Sequence, residues 1–590
     1  MNLVKTFHKR NLLLVLFVIF VVTAALVCRI YYLMVPGSGH LVKAAQDLHE
    51  RERVVKAMRG KIYDRNGEVL ADNIPVCTIS VIHNQITEPE RVIEILSKEL
   101  SLSEAYVRKR VEKYSAIETI KTNVEKETAD VIRAYELNGV MVDEDYKRFY
   151  PYESLASKVL GFTGSDNQGI LGLEVKYDFW LKGENGKILT LATAHGVEIP
   201  DAAETMIMPM EGNSLKTSLD VVIQSYAEQI AKHVLEAKSA KSVSFLVMNP
   251  NNGELYAMVN VPEYNLNQPY ELTSAYSGLL TEDSNVKKTE LLNNMWRNSC
   301  ISDTYEPGSA FKIITAAAAL EHGALKVTDT FYCPGYKIVA DRRIRCHKTT
   351  GHGSQDFVNA IMNSCNPAFM EIGGRLTIEQ LYETFETLGL FHKSGVDLPG
   401  EATSIMHKVG NVGEVEQATI SFGQSFQITP LQLMSAVSTI INGGTEITPH
   451  FVTEIVNASG NIIKTVTGTR KTGVVSEETT DIMRTVLEKV VSEGTGHYAY
   501  VEGYSVGGKT ATSEKLPRSS KKYIASFLGF APAEDPQVIA MVIIDEPQGL
   551  YYGGTIAAPL MADLFEVVLP YLGQSAQLES NTSLPENLTE

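Results

Sequence analysis

The chain has 590 residues and a formal net charge of −17 at pH 7. Because one hydrophobic core rarely serves so long a chain, we expect two or three domains. The negative charge argues against nucleic acid as a partner, since phosphate binding requires clustered lysine and arginine. The sequence contains no dinucleotide-binding fingerprint, no phosphate-binding loop and no internal repeat.

An uncharged, mostly apolar segment near the amino terminus predicts a membrane anchor. It runs from Leu12 to Cys28, and the apolar character resumes after Arg29 as far as Val35. A spanning helix needs ~20 such residues, so this segment suffices if Arg29 lies near the far interface. Three basic residues precede it: Lys5, Lys9 and Arg10. By the positive-inside rule we expect a single-pass protein of the cell membrane, with its amino terminus in the cytoplasm and its bulk outside.

Two other interpretations of this segment fit less well. Ala24 and Ala25 are small enough for a signal-peptide cleavage site, but the uninterrupted span and its apolar continuation favour an anchor. Cys28 would be the modified residue of a lipoprotein, yet the bulky Val27 before it fits that cleavage poorly.

The stretch 37–212 alternates strand-like and charged helical segments. Residues 77–82 predict a strand and residues 90–112 predict helix. Residues 59–67 predict a strand that enters an Asn-Gly turn, and residues 68–71 the returning strand. No nucleophile–base pair stands out here, so we interpret the stretch as an interaction or spacer domain.

From about residue 213 the pattern changes to buried strands at both ends of a helical middle. A turn at residues 249–253 predicts a hairpin between the first two strands. The five strand-like segments are residues 244–248, 255–259, 504–509, 525–530 and 538–544. We therefore divide the chain into a cytoplasmic tail (1–11), a transmembrane anchor (12–35), an interaction or spacer domain (37–212), a domain of buried strands around a helical middle (213–573) and a disordered tail (574–590).

The string Ser309-Ala-Phe-Lys312 offers a hydroxyl nucleophile and an amine three residues later. On a helix this spacing places both side chains on one face. Serine is a poor nucleophile unless a base takes its proton, and a lysine whose pKa is lowered by burial can be that base. A turn at Pro307-Gly308 and an alanine-rich run ending near Gly323 predict a helix here, whose first backbone N–H groups can form an oxyanion hole.

The Ser-x-x-Lys spacing alone is weak evidence, because it also occurs at Ser284–Lys287 and Ser519–Lys522. Both of those lie in polar runs typical of solvated loops. An N-cap serine beside a surface lysine would also explain the string at residue 309. Two further strings favour the catalytic interpretation: Ser364-Cys-Asn366 and Lys509-Thr-Ala511.

In this order the three strings follow a pattern known from penicillin-binding proteins and class A β-lactamases, in which the third string is Lys-Thr-Gly. Further matching strings are Arg59–Gly67, Gly169–Glu174, Trp296-Arg-Asn298, His352-Gly353, Phe422-Gly-Gln424, Asn442-Gly-Gly444 and Gly494-Thr-Gly496. From about residue 10 to 575, the chain resembles a class B penicillin-binding protein, a monofunctional peptidoglycan D,D-transpeptidase of the division or sporulation type. It departs from the family at Ala511, where glycine would let a ligand backbone approach closely.

The resemblance implies a multidomain fold with three parts. These are an N-terminal transmembrane helix, an α+β pedestal domain, and an α/β catalytic domain of the β-lactamase/transpeptidase type. The catalytic domain would hold a five-stranded antiparallel sheet and a helical subdomain.

The resemblance also implies the mechanism. Ser309 would attack the penultimate D-alanine of a stem peptide, with Lys312 as base. The other implied roles are proton relay and substrate holding by Ser364 and Asn366, carboxylate binding by Lys509 and Thr510, and an oxyanion hole from the N–H groups of Ser309 and Thr512. β-Lactams would acylate the same serine.

The resemblance implies no cofactor. Nothing resembling a glycosyltransferase domain precedes the transpeptidase, so we expect a multi-spanning glycan polymerase and other cell wall or division proteins as partners. A β-lactamase would need a water-activating base, and the anchor and pedestal make it improbable. A β-lactam sensor would need a cytoplasmic effector, and a non-catalytic scaffold stays open.

Four cysteines fall in the predicted catalytic domain: Cys300, Cys333, Cys346 and Cys365. Because Cys365 lies between Ser364 and Asn366, we predict that its oxidation inactivates the enzyme, with Cys346–Cys365 as the candidate redox pair and Cys333–Cys346 as the local alternative. A merely buried Cys365 thiol is the other interpretation. A zinc cluster of His347, His352, Cys333 and Cys346 lacks the paired spacing of common sites, so no metal is expected.

Overall fold

The structure, a computed structural model, describes residues 2–35, 50–115, 117–191, 205–280 and 287–576. The chain forms two compact units. The first comprises Met1–Met58, Ile74–Lys147 and Gly183–Glu211, and the second Arg59–Asn73, Arg148–Lys182 and Gly212–Glu590. The stretch 37–212 is therefore shared between the two units, since its segments Arg59–Asn73 and Arg148–Lys182 belong to the second unit.

The first element is the helix Asn2–Met34. Its part Lys9–Met34 contains an 18-residue window with a mean hydropathy of 2.9, of which 0% is buried, so the helix is long and apolar enough to cross a membrane. The carboxyl-terminal stretch Gly553–Tyr571 passes the same length test, but 56% of its apolar window is buried. It is a core helix of the second unit, whereas the amino-terminal helix has the composition of the predicted anchor.

The first unit contains short strands and three amphipathic helices around a small core. Glu50–Val55, Gly186–Leu191 and Thr205–Ile207 form a three-stranded antiparallel sheet with Gly186–Leu191 in its centre. The end of Val69–Val81 pairs with Glu118–Val124. The other elements are the strand Val140–Phe149, the helices Pro89–Glu99, Glu104–Val111 and Lys126–Ala134, and the 3₁₀ turn His83–Gln85. Cys77, Ile79 and Val92 belong to the core that these elements enclose.

The second unit holds a five-stranded antiparallel sheet, whose strands we label in chain order β1 (Ser242–Met248), β2 (Leu255–Val261), β3 (Gly507–Glu514), β4 (Tyr523–Ala531) and β5 (Val538–Asp545). Their spatial order is β2-β1-β5-β4-β3. The predicted hairpin is β1–β2, in which Val261 pairs with Val243. β3 lies at an edge of the sheet, paired only with β4 among the described strands.

Both faces of this sheet are covered, so its strands are buried along nearly their whole length. Phe245 faces a cluster with the helices Val221–Ala237 and Ala558–Tyr571. Leu246, the next residue, faces a second cluster that includes Ile313 and Leu433. Successive side chains in a strand point to opposite faces, so one strand contributes to both cores.

Further helices and strands complete the second unit. Its other helices are Ser157–Leu160, Gly172–Lys176, Asp178–Leu181, Ser274–Ser277, Lys288–Trp296, Ser299–Ser302, Lys312–Glu321, Phe357–Met362, Asn366–Gly374, Ile378–Thr387, Glu414–Ile420, Pro430–Ile441, Glu477–Ser492 and Gly553–Ile556. Its 3₁₀ turns are Gly308–Phe311, Val409–Asn411, His497–Ala499 and Arg518–Ser520. Smaller strands are Ile62–Tyr63, Ser214–Thr217, Thr330–Cys333, Tyr336–Val339, Arg342–Arg345, Gly353–Asp356, Glu446–Ile447, Val452–Val456, Ile462–Thr465 and Arg470–Lys471.

A buried ion network joins two strings that the sequence analysis singled out. The guanidinium of Arg59 donates to Glu174 and to Asp178, both at 2.7 Å. Arg148 donates to the other oxygen of Glu174, also at 2.7 Å. Burial alone would raise the pKa of Glu174, but Arg148 and Arg59 outweigh it and hold that pKa below its usual value. The carboxylate is therefore the centre of this network.

We expect Glu174→Gln to destabilise the second unit by ~3–5 kcal/mol, because two guanidinium groups lose a shared buried counter-ion. Urea unfolding of the full chain, followed by tryptophan fluorescence, should show a lower midpoint. Glu88→Gln is the control, since its ion pair with Arg91 is exposed and worth little. Equal midpoints for the two variants would contradict the structural role of Glu174.

Candidate active site

Ser309 lies in the 3₁₀ turn Gly308–Phe311, which leads directly into the helix Lys312–Glu321. The Gly308 amide donates a hydrogen bond to the Gly423 carbonyl at 2.9 Å. Gly308 adopts a φ of +57°, and a side chain there would collide with Ser513 of β3. Glycine thus lets the turn pack against the edge strand, with Ser309 half-buried and lining a cleft.

Lys312 is fully buried, one helical turn after Ser309. Its Nζ donates to the Ser364 carbonyl at 2.7 Å, to Ser364 Oγ at 3.1 Å and to Asn366 Oδ1 at 2.8 Å. Burial disfavours the ammonium form and lowers the pKa of Lys312 to about 8. A substantial fraction of this amine is therefore neutral at physiological pH.

Ser364 and Asn366 reach Lys312 because of an unusual backbone bend. Ser364 has a φ of +50°, a left-handed conformation that costs ~1–3 kcal/mol for a residue with a side chain. The bend separates the helices Phe357–Met362 and Asn366–Gly374. Asn366 Nδ2 donates to the Arg345 carbonyl at 3.3 Å, which turns its Oδ1 towards Lys312.

The third string lies on β3, where Thr510, Ala511 and Thr512 line the cleft. The methyl of Ala511 is buried in the core between the sheet and the helices. The backbone carbonyl of Ala511 packs against Gly553, and a side chain at residue 553 would collide with that carbonyl. The Gly553 amide in turn donates to Thr512 Oγ1 at 3.0 Å. The methyl of residue 511 is therefore accommodated by the packing of the strand.

Lys509 is fully buried, and its Nζ donates to the Thr510 carbonyl at 3.2 Å. Burial, with repulsion from Lys312 as a second cause, lowers the pKa of Lys509 well below its usual value. Lys509 is not among the residues that line the cleft. It is a second buried amine near the first, behind the surface that a ligand would touch.

The cleft has a volume of about 650 Å³. It brings together Ser309, Ser364, Asn366, Thr510, Ala511 and Thr512, with the two lysines behind them. The competing string Ser519–Lys522 is exposed and follows β3 in a loop, whereas Ser284 lies outside the described residues. The structure thus separates the Ser-x-x-Lys string at Ser309 from the one at Ser519 by burial and by its neighbours.

The cleft also has residues to which the sequence analysis assigned no role. Tyr523 and Tyr551 stack at 4.0 Å between ring centres and, with Tyr552, form an aromatic wall. Thr495 and His497 also line the cleft, and Thr495 Oγ1 donates to the Met362 carbonyl at 2.9 Å. In the sequence, two features could have pointed to these residues: the string Gly494-Thr-Gly496 and the adjacent tyrosines Tyr551 and Tyr552.

Comparisons with known proteins agree with this geometry. The model of the penicillin binding protein transpeptidase domain matches residues 243–566, and that of the penicillin-binding protein dimerisation domain matches residues 54–217. The chain is 39% identical over 577 residues to the stage V sporulation protein D of Bacillus subtilis, covering 96% of this chain and 86% of that protein. The chain belongs to the penicillin-binding proteins with a transpeptidase domain.

More distant relatives extend over nearly the same length. The probable peptidoglycan D,D-transpeptidase PenA of Neisseria meningitidis serogroup A is 29% identical over 575 residues, covering 95% of this chain and 92% of PenA. Among solved structures, penicillin binding protein 2X from Streptococcus thermophilus has a TM-score of 0.71 at 20% identity, covering 89% of this chain and 81% of that one. A peptidoglycan synthetase from Bifidobacterium adolescentis has a TM-score of 0.72 at 21% identity, with 90% and 98% covered.

These comparisons confirm the fold class predicted for this penicillin-binding protein, including its pedestal and catalytic domains. All six cysteines lie in the described part of the chain and are free thiols. The Sγ atoms of Cys346 and Cys365 lie within 4.8 Å of each other. That oxidation of this pair inactivates the enzyme stays a prediction.

Proposed function

We propose that this penicillin-binding protein is a peptidoglycan D,D-transpeptidase that cross-links stem peptides ending in D-Ala-D-Ala. The observation that carries the proposal is the contact of the buried Lys312 amine with Ser364 and Asn366, directly behind the cleft that Ser309 lines. This arrangement supplies a nucleophile, a base whose pKa lies near the working pH, and a relay group.

In the proposed acylation step, Ser309 Oγ attacks the carbonyl carbon of the penultimate D-alanine. The hydroxyl proton passes to the neutral amine of Lys312, and the backbone N–H groups of Ser309 and Thr512 stabilise the oxyanion. The C–N bond to the terminal D-alanine then breaks, the leaving nitrogen takes up the proton, and an ester remains on Ser309.

Ser364 and Asn366 are proposed to keep Lys312 productive during this step. A neutral amine has two N–H groups, which can serve the Ser364 carbonyl and Asn366 Oδ1, at 2.7 and 2.8 Å. Its lone pair is then free to accept a proton from Ser309 directly or through the Ser364 hydroxyl. These acceptors therefore orient the base as well as bind it.

Lys509 and Thr510 are proposed to bind the carboxylate of the terminal D-alanine. Thr510 offers a hydroxyl in the cleft. Burial lowers the pKa of Lys509, and a bound carboxylate opposes that shift by favouring the protonated amine behind the strand. An amine from a neighbouring stem peptide then attacks the ester, returns a proton to Ser309 Oγ and closes the cross-link. A β-lactam acylates Ser309 by the same route, but its leaving nitrogen stays tethered to the acyl group.

We also propose that the amino-terminal helix anchors the protein with its amino terminus in the cytoplasm and its catalytic unit outside. The three basic residues before the apolar span support this orientation: Lys5, Lys9 and Arg10. Family resemblance supports a multi-spanning glycan polymerase as the partner that supplies glycan strands.

The function is tested by incubating the purified full chain in detergent with uncross-linked glycan strands that carry pentapeptide stems. We expect cross-linked muropeptides and one free D-alanine per cross-link, measured by mass spectrometry after muramidase digestion. A β-lactamase would instead hydrolyse penicillin with rapid turnover. A sensor or scaffold would release no D-alanine, and that result would contradict the proposal.

We expect Lys509→Ala to reduce the second-order rate constant of acylation, because a bound carboxylate favours the protonated form of the buried Lys509 amine and the variant loses this positive charge, worth ~2–3 kcal/mol. That loss corresponds to roughly 30- to 150-fold. Stopped-flow acylation by a chromogenic penicillin measures it, and the loss should lie mainly in binding of the β-lactam. Ala511→Gly, the matched control on the same strand, should keep activity with at most a changed β-lactam affinity; an inactive glycine variant would refute the assignment of this string.

A further inference from the structure

Three cysteines and one histidine converge beside the active site. Their ligand atoms all lie within 4.8 Å of one another: Cys333, Cys346, His352 and Cys365. The three thiols are buried and the imidazole is half-buried. His352 Nδ1 lies 3.7 Å from Cys346 Sγ. Four soft ligand atoms thus surround one point in the second unit.

The distance between Cys346 and His352 fits tetrahedral zinc coordination, and the other ligand atoms are near enough to join it. Zinc binds thiolate sulfur at ~2.3 Å and imidazole nitrogen at ~2.0–2.1 Å, so ligand atoms at tetrahedral angles lie roughly 3.6–3.8 Å apart. The observed S···N distance of 3.7 Å falls in that range. Three thiolates and one imidazole are a common ligand set of structural zinc.

Each ligand comes from a different, well-fixed segment. Cys333 ends the strand Thr330–Cys333 and pairs with Gly353, which places His352 beside it. Cys346 follows the strand Arg342–Arg345, and its amide donates to the Gly335 carbonyl at 2.9 Å.

Two glycines make the close crossing of these loops feasible. Gly335 and Gly351 have positive φ, and a side chain on either would collide with the other loop. The backbone around the four ligands is therefore already folded closely about the site.

The cluster differs from the other cysteines of the described chain. Cys77 and Cys300 are each buried among apolar side chains, as isolated thiols usually are. A disulfide would use only two of the three clustered thiols and leave the third and the imidazole without a role. A tetrahedral metal uses all four groups, so it accounts for the whole cluster.

We propose that Cys333, Cys346, His352 and Cys365 bind one structural Zn²⁺ ion. Each cysteine loses its thiol proton on binding, and the imidazole binds in its neutral form. Four protein ligands fill a tetrahedral shell, which leaves no position for substrate. The proposed ion therefore has a structural role, and the proposal departs from the expectation, drawn from spacing alone, that the protein binds no metal.

The position of Cys365 gives the ion a function that rests on the proposed transpeptidase mechanism. Cys365 separates the two residues that bind the Lys312 amine, and Arg345, next to Cys346, accepts from Asn366 Nδ2 at 3.3 Å. Metal binding would fix both chain segments that orient Asn366 and the strained Ser364. We infer that zinc holds this part of the active site in its productive geometry.

The metal is measured on the full chain purified in detergent without chelators from zinc-sufficient cells. We expect about one zinc ion per chain by mass spectrometry of the metal. After exchange for Co²⁺, intense visible d–d bands of tetrahedral cobalt and a near-ultraviolet thiolate band should appear. Neither measurement depends on catalysis. The zinc site can therefore be refuted while the transpeptidase activity is confirmed, and confirmed while that activity is refuted.

Variants identify the ligands. Cys333→Ser and His352→Ala should each lose most of the zinc and of the cobalt bands. Cys300→Ala and His347→Ala are the controls and should keep both. His347 Nδ1 lies 3.8 Å from Cys346 Sγ, close to the distance of His352, but it is not part of the four-atom cluster. Loss of zinc on changing His347 but not His352 would overturn the assigned ligand set.

Removal of the ion tests its role in positioning. Chelation of the reduced wild-type chain should slow penicillin acylation by ~100-fold, as expected when catalytic groups shift by about 1 Å, and added Zn²⁺ should restore the rate. Native chain with negligible zinc and no cobalt bands would overturn the proposal, as would a native Cys346–Cys365 disulfide found by peptide mapping. An unchanged acylation rate after complete zinc removal would overturn the positioning role.

Discussion

Replacing Ser309 with alanine is expected to abolish covalent labelling of the chain by a fluorescent penicillin. The acyl-enzyme is an ester of this hydroxyl, so no other group in the cleft can take its place when it is removed. The cleft still binds the ligand non-covalently, because its threonines and tyrosines remain. Gel fluorescence after denaturation measures the adduct, and peptide mass spectrometry of the wild type should locate it on Ser309.

Ser519→Ala is the matched control, because Ser519 begins a Ser-x-x-Lys string of the same spacing but is exposed in a loop. Its labelling should equal that of the wild type. Persistent labelling of the Ser309 variant would refute the nucleophile, and loss of labelling in the Ser519 variant would show that spacing alone had misled the assignment.

The parts of the fold that follow from local sequence were predictable. The hairpin β1–β2 was predicted by its turn, and the helix Lys312–Glu321 by its alanine-rich run ending before Gly323. The strand β3 was predicted less well: the prediction covered residues 504–509, whereas the strand runs from Gly507 to Glu514 and begins with two glycines, Gly507 and Gly508. The rings of Phe530 and Phe527 lie over these glycines where side chains would otherwise be.

The parts that depend on distant contacts were not predictable. Arg59 and Glu174 were recognised as parts of matching strings, but their salt bridge joins residues 115 positions apart. The same long-range folding shares the stretch 37–212 between two compact units. Periodicity and turn signals report on neighbours in sequence, so they carry no information about such pairs.

The active site was likewise predictable only where its residues form local patterns in the sequence. The three strings predicted the candidate nucleophile Ser309, the two lysines and the pair Ser364 and Asn366, because each string has a compact local pattern. The four clustered ligands have no such pattern, since they are spread from residue 333 to residue 365. The pairing of Cys333 with Gly353 brings them together, and that pairing is a property of the fold.

Changing Lys312 to alanine is expected to slow penicillin acylation by roughly 10²–10⁴-fold, because Ser309 loses its base. Lys522→Ala is the matched control; its Nζ forms an exposed ion pair with Glu546, so the acylation rate should not change. A Lys312 variant that acylates at the wild-type rate would remove this residue from the mechanism.

The pH dependence of acylation tests the same base, because only the neutral amine of Lys312 accepts a proton. Burial lowers the pKa of Lys312 to about 8, while the thiols of Cys365 and Cys346 act in the opposite direction. The nearby Lys509 carries the same charge when protonated. The wild-type second-order rate constant should therefore rise about tenfold per pH unit below that pKa and level off above it. In the Lys312→Ala variant the inflection near pH 8 should disappear, and its persistence would assign the titration to another group.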